Sequence, residues 1–185
     1  MNKLNAKKFA RIRAVTSDAG NNGVDLRSTF APLYASVAIV AEGWEIIDEP
    51  ICRAGEPEIW SDEFRAKENE AMLASKIQFD ITTEAVVKWK PKLVVMDGTL
   101  LLHFGLLPSK GSSEGYIKNF ESTIKSAIGL LYVCYEHDIP IVGFIKRTRM
   151  RARTFTVKLV FLNRLIKLKR ALALLENKSG FLRPE

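Results

Sequence analysis

The sequence contains few of the residues that build disulfide frameworks and zinc sites. Among its 185 residues there are two Cys and two His. Cys52 and Cys134 do not form a Cys-x-x-Cys pair, and neither lies in a cluster of His and Cys. A disulfide-stapled secreted domain is therefore excluded, and a zinc site is not expected.

Long hydrophobic runs are also absent. No apolar stretch reaches the roughly 18–20 residues that a membrane span needs, and residues 1–13 lack the apolar segment of a secretion signal. Hydrophobic residues make up 47% of the chain and charged residues 26%, as in an ordinary globular protein. We therefore expect a soluble, cytoplasmic protein with one compact fold and no membrane partner.

The positive charge is concentrated at one end of the chain. Residues 146–185 contain twelve basic and two acidic residues, a net charge of +10, whereas residues 1–145 carry a net charge of −3. A near-neutral body with a basic end is typical of a protein that binds a polyanion, most often nucleic acid. The charge is equally consistent with a basic helix that is exposed to solvent and binds no polyanion.

The hydrophobic pattern predicts strands and helices in a mixed order. Residues 8–17 alternate as a strand that ends at Ser17-Asp18, and residues 33–41 form a β-hairpin with the WEII segment that follows. The remaining predicted elements are a loop over 48–57, a helix over 61–78 capped by Ser61, a short helix over 82–89, a strand over 93–97, a helix over 116–136 and a strand over 139–145.

Two carboxylates follow predicted strands. Asp18 closes the first strand, and Asp97-Gly98 follows an apolar run that is typical of a strand buried on both faces. Ligands of α/β sheets bind at the carboxyl ends of strands, so neighbouring parallel strands would place both carboxylates in one crevice. Carboxylates held close together repel unless a hard cation such as Mg²⁺ or Mn²⁺ neutralises them. The alternative for each Asp is an ordinary turn or cap.

The order of the elements, a hairpin followed by two strand–helix units, is typical of the ribonuclease H-like fold. That fold places metal-binding acids on its first and fourth strands, which are the strands that carry Asp18 and Asp97 here. We therefore predict an α/β fold with a ribonuclease H-like mixed sheet flanked by helices.

A third acid is expected on the 61–78 helix. Glu70 falls on the apolar face of this helix, where a carboxylate is costly unless it is paired or bound to a metal. Arg65 or Lys67 would be ordinary partners for an acid here. Glu70 is the favoured candidate, with Glu68 and Glu84 as alternatives.

Three segments together resemble the NurA family of nucleases: residues 17–24 (SDAGNNGV) before the hairpin, residues 93–101 (LVVMDGTLL) and residues 139–149 (IPIVGFIKRTR). By position, Asp18 matches the first acid of the family and Asp97 the acid of its DG(S/T)L motif. Glu70 is taken as the helical Glu of the family, and Lys146 matches the lysine that follows the last strand.

The resemblance implies a Mn²⁺-dependent deoxyribonuclease with 5′-to-3′ exonuclease and single-strand endonuclease activity. It also implies a role in DNA end resection and double-strand break repair, with the hexameric ATPase HerA as partner. We expect a homodimer.

The resemblance covers residues 1–150, the expected nuclease core, and residues 151–185 are expected to be a basic helical extension or a truncated remainder of the domain. NurA proteins usually continue into a segment that carries Tyr and His near the metals, and residues 150–185 contain neither. The chain is therefore expected to be a fragment or a short form. The basic residues predicted to contact DNA are Lys146, Arg147, Arg149 and Arg151.

Two functions follow from this sequence. The leading hypothesis is a nuclease in which Asp18, Glu70 and Asp97 hold one or two Mn²⁺ or Mg²⁺ ions for phosphodiester hydrolysis. The alternative is an inactive or truncated module of the same fold that binds DNA or docks a partner, because the basic segment 146–170 also has an apolar face. A membrane-surface helix is the least favoured reading of that segment.

Overall fold

The computed structural model describes residues 12–61, 65–102 and 104–145. Nine strands and two α-helices lie within these ranges. The strands are β1 (Arg13–Asn21), β2 (Val24–Leu26), β3 (Thr29–Ala31), β4 (Tyr34–Glu42), β5 (Glu45–Ile46), β6 (Ile51–Ala54), β7 (Trp60–Ser61), β8 (Leu93–Asp97) and β9 (Ile141–Phe144), and the helices are α1 (Ala66–Trp89) and α2 (Glu114–Glu136).

Six strands form a mixed sheet in the order β5-β4-β1-β8-β9, with β6 also paired to β4. Strand β1 is antiparallel to β4 and parallel to β8, and β9 is parallel to β8. The predicted α/β class and mixed sheet are therefore confirmed. Strands β2, β3 and β7 form a separate three-stranded sheet that the sequence did not predict.

The first strand extends beyond its predicted end. Residues 19–21 are not a turn, because Ala19–Asn21 pair with Tyr34–Ser36 of β4 in an unbroken antiparallel register. The prediction that Asp18 closes the strand is thus wrong, since three more residues follow it in β1. Residues 8–11 of the predicted strand lie outside the described ranges.

The predicted hairpin is confirmed, and the predicted loop after it is partly a strand. Gly43 lies between β4 and β5 with a φ of 66°, a conformation in which glycine is unstrained. Residues 51–54, predicted as loop, form β6 because they pair with Ala35–Ala38 of β4.

A single helix replaces the two helices predicted between residues 61 and 89. The β-branched pair Thr82 and Thr83 does not interrupt α1, because their hydroxyls donate to the carbonyls of Gln78 and Phe79 one turn earlier, at 2.5 and 2.9 Å. Ser61 is not its N-cap, since Ser61 pairs with Thr29 in the small sheet. The helix instead begins after Arg65, which has a left-handed φ of 71°.

Both helices contribute to one hydrophobic core over the large sheet. Alternate residues of β1 and β8, among them Val15 and Val94, are fully buried and pack with Ile81 of α1 and Leu130 of α2. On the opposite face, residues of β9 such as Phe144 are 57% exposed. Neither of the two described helices is long and apolar enough to cross a membrane. The helices thus cover one face of the sheet and hold its strand ends in place.

Candidate functional site

Asp18 and Asp97 lie side by side on neighbouring parallel strands. Ser17 and Met96 are the last paired residues of the β1–β8 ladder, and each carboxylate residue comes directly after one of them. Adjacent strands are about 4.8 Å apart. Ser17 and Met96 are buried on the helix-covered face, so by strand alternation Asp18 and Asp97 project from the opposite face. Asp18 is exposed and Asp97 is half-buried.

The Asp97-Gly98 turn ends β8 sharply. Gly98 has a φ of 104°, which residues with a Cβ rarely adopt, and its N–H donates to the Phe144 carbonyl at 2.9 Å. The Thr99 hydroxyl then donates to the Leu101 carbonyl at 2.5 Å. These contacts hold Asp97 at the tip of its strand, as the sequence predicted.

Glu70 does not join the two aspartates in one cluster. Its carboxylate is 2% exposed and accepts hydrogen bonds from Asn21 Nδ2 at 3.0 Å and from the Leu33 N–H at 2.7 Å. Within the described ranges, no group of three or more His, Cys, Asp or Glu side chains is placed to hold a metal ion. Glu70 thus ties α1 to the end of β1 and to the start of β4.

The two alternative acids are exposed and paired with cations. Glu68 lies 3.7 Å from Arg65, and Glu84 lies 2.8 Å from Arg53 of β6. Glu70 is therefore the one buried carboxylate among the three candidates. The other cation considered for these acids, Lys67, pairs with Asp25 at 2.7 Å.

Arg65 and Tyr116 hold the segment that follows the Asp97-Gly98 turn. The Arg65 guanidinium donates to the carbonyls of Gly105 and Leu107 and lies 5.0 Å from the centre of the Tyr116 ring. The Tyr116 hydroxyl donates to the Leu106 carbonyl at 2.9 Å, and burial raises the pKa of this phenol. The segment is thereby fixed to both helices.

Sequence reasoning missed Gln78, which contacts both acid-bearing strands. Its side-chain amide donates to the carbonyls of Ser17 and Asp97, at 3.0 Å each. The available signal was a polar residue on the apolar face of a helix, where an unpaired amide is costly.

A shallow groove of about 420 Å³ lies beside Asp18. It is lined by Asp18, Ala19, Gly20, Ala35, Ser36, Val37, Cys52, Arg53 and Ala54 of strands β1, β4 and β6. The predicted DNA-binding residues Lys146, Arg147, Arg149 and Arg151 lie outside the described ranges.

The fold and the site define an α/β sheet protein with two acids side by side on neighbouring parallel strands. No protein-family model matches the sequence, and no curated protein matches it. The chain has the fold of the NurA nuclease from Sulfolobus solfataricus, with a TM-score of 0.53 and 14% sequence identity over 76% of this chain and 49% of that one. The predicted NurA-like fold is thereby confirmed, and this chain spans about half the length of that protein.

Two other solved structures show weaker similarity. One is NurA bound to dAMP and manganese, with a TM-score of 0.42 and 13% identity over 49% of this chain and 20% of that one. The other is the trimeric exonuclease PhoExo I from Pyrococcus horikoshii, with a TM-score of 0.44 and 15% identity over 74% of this chain and 60% of that one.

Proposed function

We propose that this chain is the core of a metal-dependent DNA nuclease of the NurA type. The observation that carries the proposal is the placement of Asp18 and Asp97 at the same level of the parallel β1–β8 pair. The NurA-like fold supports it by analogy, because the same fold occurs in a nuclease.

The chemistry of the paired carboxylates fits a hard divalent cation. Asp18 and Asp97 present oxygen ligands, which Mg²⁺ and Mn²⁺ prefer, and a cation there would offset the repulsion between them. When bound, such a cation supplies Lewis acidity for phosphodiester hydrolysis. Glu70 would become a third ligand of this cation only if its carboxylate gave up its hydrogen bonds from Asn21 and Leu33.

The basic residues after β9 are proposed to bind the DNA backbone. Lys146, Arg147, Arg149 and Arg151 belong to the segment whose net charge is +10. Phosphate contacts by Lys and Arg release counterions, so DNA affinity is expected to fall steeply with rising salt concentration.

The finer activities come from the resemblance to NurA. They are 5′-to-3′ exonuclease and single-strand endonuclease activity in end resection and double-strand break repair, and partnership with a HerA-type ATPase. A ribonuclease H-like fold, a homodimer and a cytoplasmic location are proposed beside them. The similarity in fold to the Sulfolobus solfataricus NurA nuclease supports the nuclease activity among these proposals.

A second candidate is a DNA-binding or partner-docking module without catalysis. The observation that favours it is that Glu70 is engaged elsewhere, so the described residues form no three-acid cluster.

Cleavage of labelled single- and double-stranded DNA separates the two candidates. The reactions contain Mn²⁺, Mg²⁺ or EDTA, and the variants are Asp18→Asn, Asp97→Asn, Glu68→Gln, Glu70→Gln and Glu84→Gln. Glu121→Gln, an exposed carboxylate on α2, is the matched control. A nuclease loses Mn²⁺-dependent cleavage but keeps DNA binding in both Asn variants. The third acid is identified by the Gln variant that loses cleavage while its melting temperature and DNA binding stay unchanged.

Metal-independent binding of DNA with no cleavage by the folded, unsubstituted protein would favour the binding module. Cleavage that survives both Asp18→Asn and Asp97→Asn would place the active site elsewhere.

A further inference from the structure

Gln78 of α1 contacts the backbone beside both carboxylates. Its side chain is 7% exposed, and the single nitrogen Nε2 donates to the Ser17 and Asp97 carbonyls at 3.0 Å each. The Ser17 carbonyl belongs to the peptide group that precedes Asp18, and the Asp97 carbonyl to the one that follows Asp97. One buried amide thus joins the two strands at the level of the acids.

The pairing of β1 with β8 ends just before the two acids, which are not paired with each other. The last pair of the β1–β8 ladder is Ser17 with Met96. Beyond this pair, β1 is paired only with its other neighbour β4, and β8 only with β9. Asp18 pairs with Val37 of β4, whereas Asp97 pairs with Phe144 of β9. Like charges on adjacent strands repel, so the two strands would tend to separate beside the acids. The Gln78 amide opposes that separation.

We infer that Gln78 is a positioning residue that sets the spacing of Asp18 and Asp97 and thereby the affinity of their site for Mn²⁺. The inference rests on the proposed function. Two oxygens that share one donor at 3.0 Å are at most about 6 Å apart. A neutral amide supplies both N–H groups without adding a charge that would compete with the cation.

The test compares Gln78→Met with Thr82→Val. Met keeps the length of the side chain but has no N–H donor. Thr82 is a matched control because it is fully buried one turn further along α1, and its hydroxyl bonds Ser17 Oγ of β1 at 2.7 Å. Mn²⁺ binding to each variant is measured by calorimetry. DNA binding is measured in EDTA over a range of salt concentrations. Amide hydrogen exchange of peptides from β1 and β8 is measured without metal.

In Gln78→Met we expect Mn²⁺ binding to weaken about tenfold, the lower end of the range for hydrogen-bond partners of metal ligands, because Gln78 bonds the backbone beside the acids. DNA affinity in EDTA should stay at the level of the unsubstituted protein, and the backbone around Asp18 and Asp97 should exchange faster. Thr82→Val should change Mn²⁺ affinity less than about twofold.

Unchanged Mn²⁺ affinity in Gln78→Met, or an equal loss in Thr82→Val, would overturn the inference. If the unsubstituted protein binds no Mn²⁺, the metal site of the proposed function fails and so does the effect of Gln78 on it. In that case faster exchange in Gln78→Met alone would still support the link between the strands.

Discussion

The backbone of Gly143 in β9 lies against the turn at Gly98, so that a Cβ at position 143 would be 2.7 Å from the Gly98 carbonyl oxygen. The same Cβ would lie 3.1 Å from Leu100 Cγ. The turn that follows Asp97 can therefore take its observed path only over a residue without a side chain.

Gly143→Ala is expected to displace this turn and destabilise the fold. The contact is with backbone, which cannot rotate away, so we expect a loss of about 1–3 kcal/mol in the free energy of unfolding. Urea denaturation measures it. Gly129→Ala in α2 is the control, because nothing lies within 4 Å of its added Cβ and alanine is the better helix former. Equal stabilities of the two variants would contradict the predicted contact.

Glu70→Gln is expected to destabilise the protein independently of any metal. Both hydrogen bonds to this carboxylate come from N–H donors, on Asn21 and Leu33, and a neutral amide at position 70 is a weaker acceptor than a carboxylate. Because hydrogen bonds to charged groups contribute about 1.5–3 kcal/mol and neutral ones about 1 kcal/mol, we expect a loss of about 1 kcal/mol in the free energy of unfolding. Urea denaturation in EDTA measures the loss.

Glu68→Gln, on the same helix, is the matched control for this experiment. Glu68 is exposed and 3.7 Å from Arg65, and exposed ion pairs contribute about 0–1 kcal/mol. If Glu70→Gln is as stable as Glu68→Gln, Glu70 does not tie α1 to the strands.

The sequence predicted the elements whose signals are local. Strand β8 is a short apolar run stopped by Asp97-Gly98, and α2 shows apolar residues at helical spacing, so both have nearly their predicted bounds. The predicted site required the strands of Asp18 and Asp97 to be parallel neighbours. In the structure β1 and β8 are parallel neighbours.

Features that depend on distant residues could not be predicted in this way. Strand β3 pairs with β7 across 30 residues, and β7 has two residues, too few for any alternation. Ala19–Asn21 has the composition of a turn, but pairing with β4 overrides that preference. The engagement of Glu70 was equally hidden, because one of its partners is a backbone N–H, which no residue pattern reveals.

Asp48 is expected to make stability depend on acid pH. The pKa of Asp48 is lowered from 3.8 to about 2, first by the hydrogen bond from Trp89 Nε1 at 2.7 Å and then by Lys88. Because the folded state holds this proton less tightly than the unfolded state, the stabilisation is present above about pH 4 and is lost as the pH falls through about 2.

The measurement is the melting temperature between pH 6 and pH 2, compared with that of Asp48→Asn. The difference between the two proteins should shrink as the pH falls. Trp89→Phe removes the indole donor but keeps Lys88, so its pH profile should lie between those of the unsubstituted protein and Asp48→Asn whatever its absolute stability. Parallel profiles for all three proteins would contradict the role of this hydrogen bond.

The two cysteines are expected to differ sharply in reactivity. Cys134 of α2 is 1% exposed, and burial raises the pKa of its thiol to about 11, so it is protonated and shielded at pH 8. Cys52 of β6 is exposed beside the groove at Asp18. A disulfide reagent should therefore titrate one thiol quickly in the folded protein and the second only in denaturant. Cys52→Ser should abolish the fast phase, and two fast thiols would show that α2 does not pack on the sheet as described.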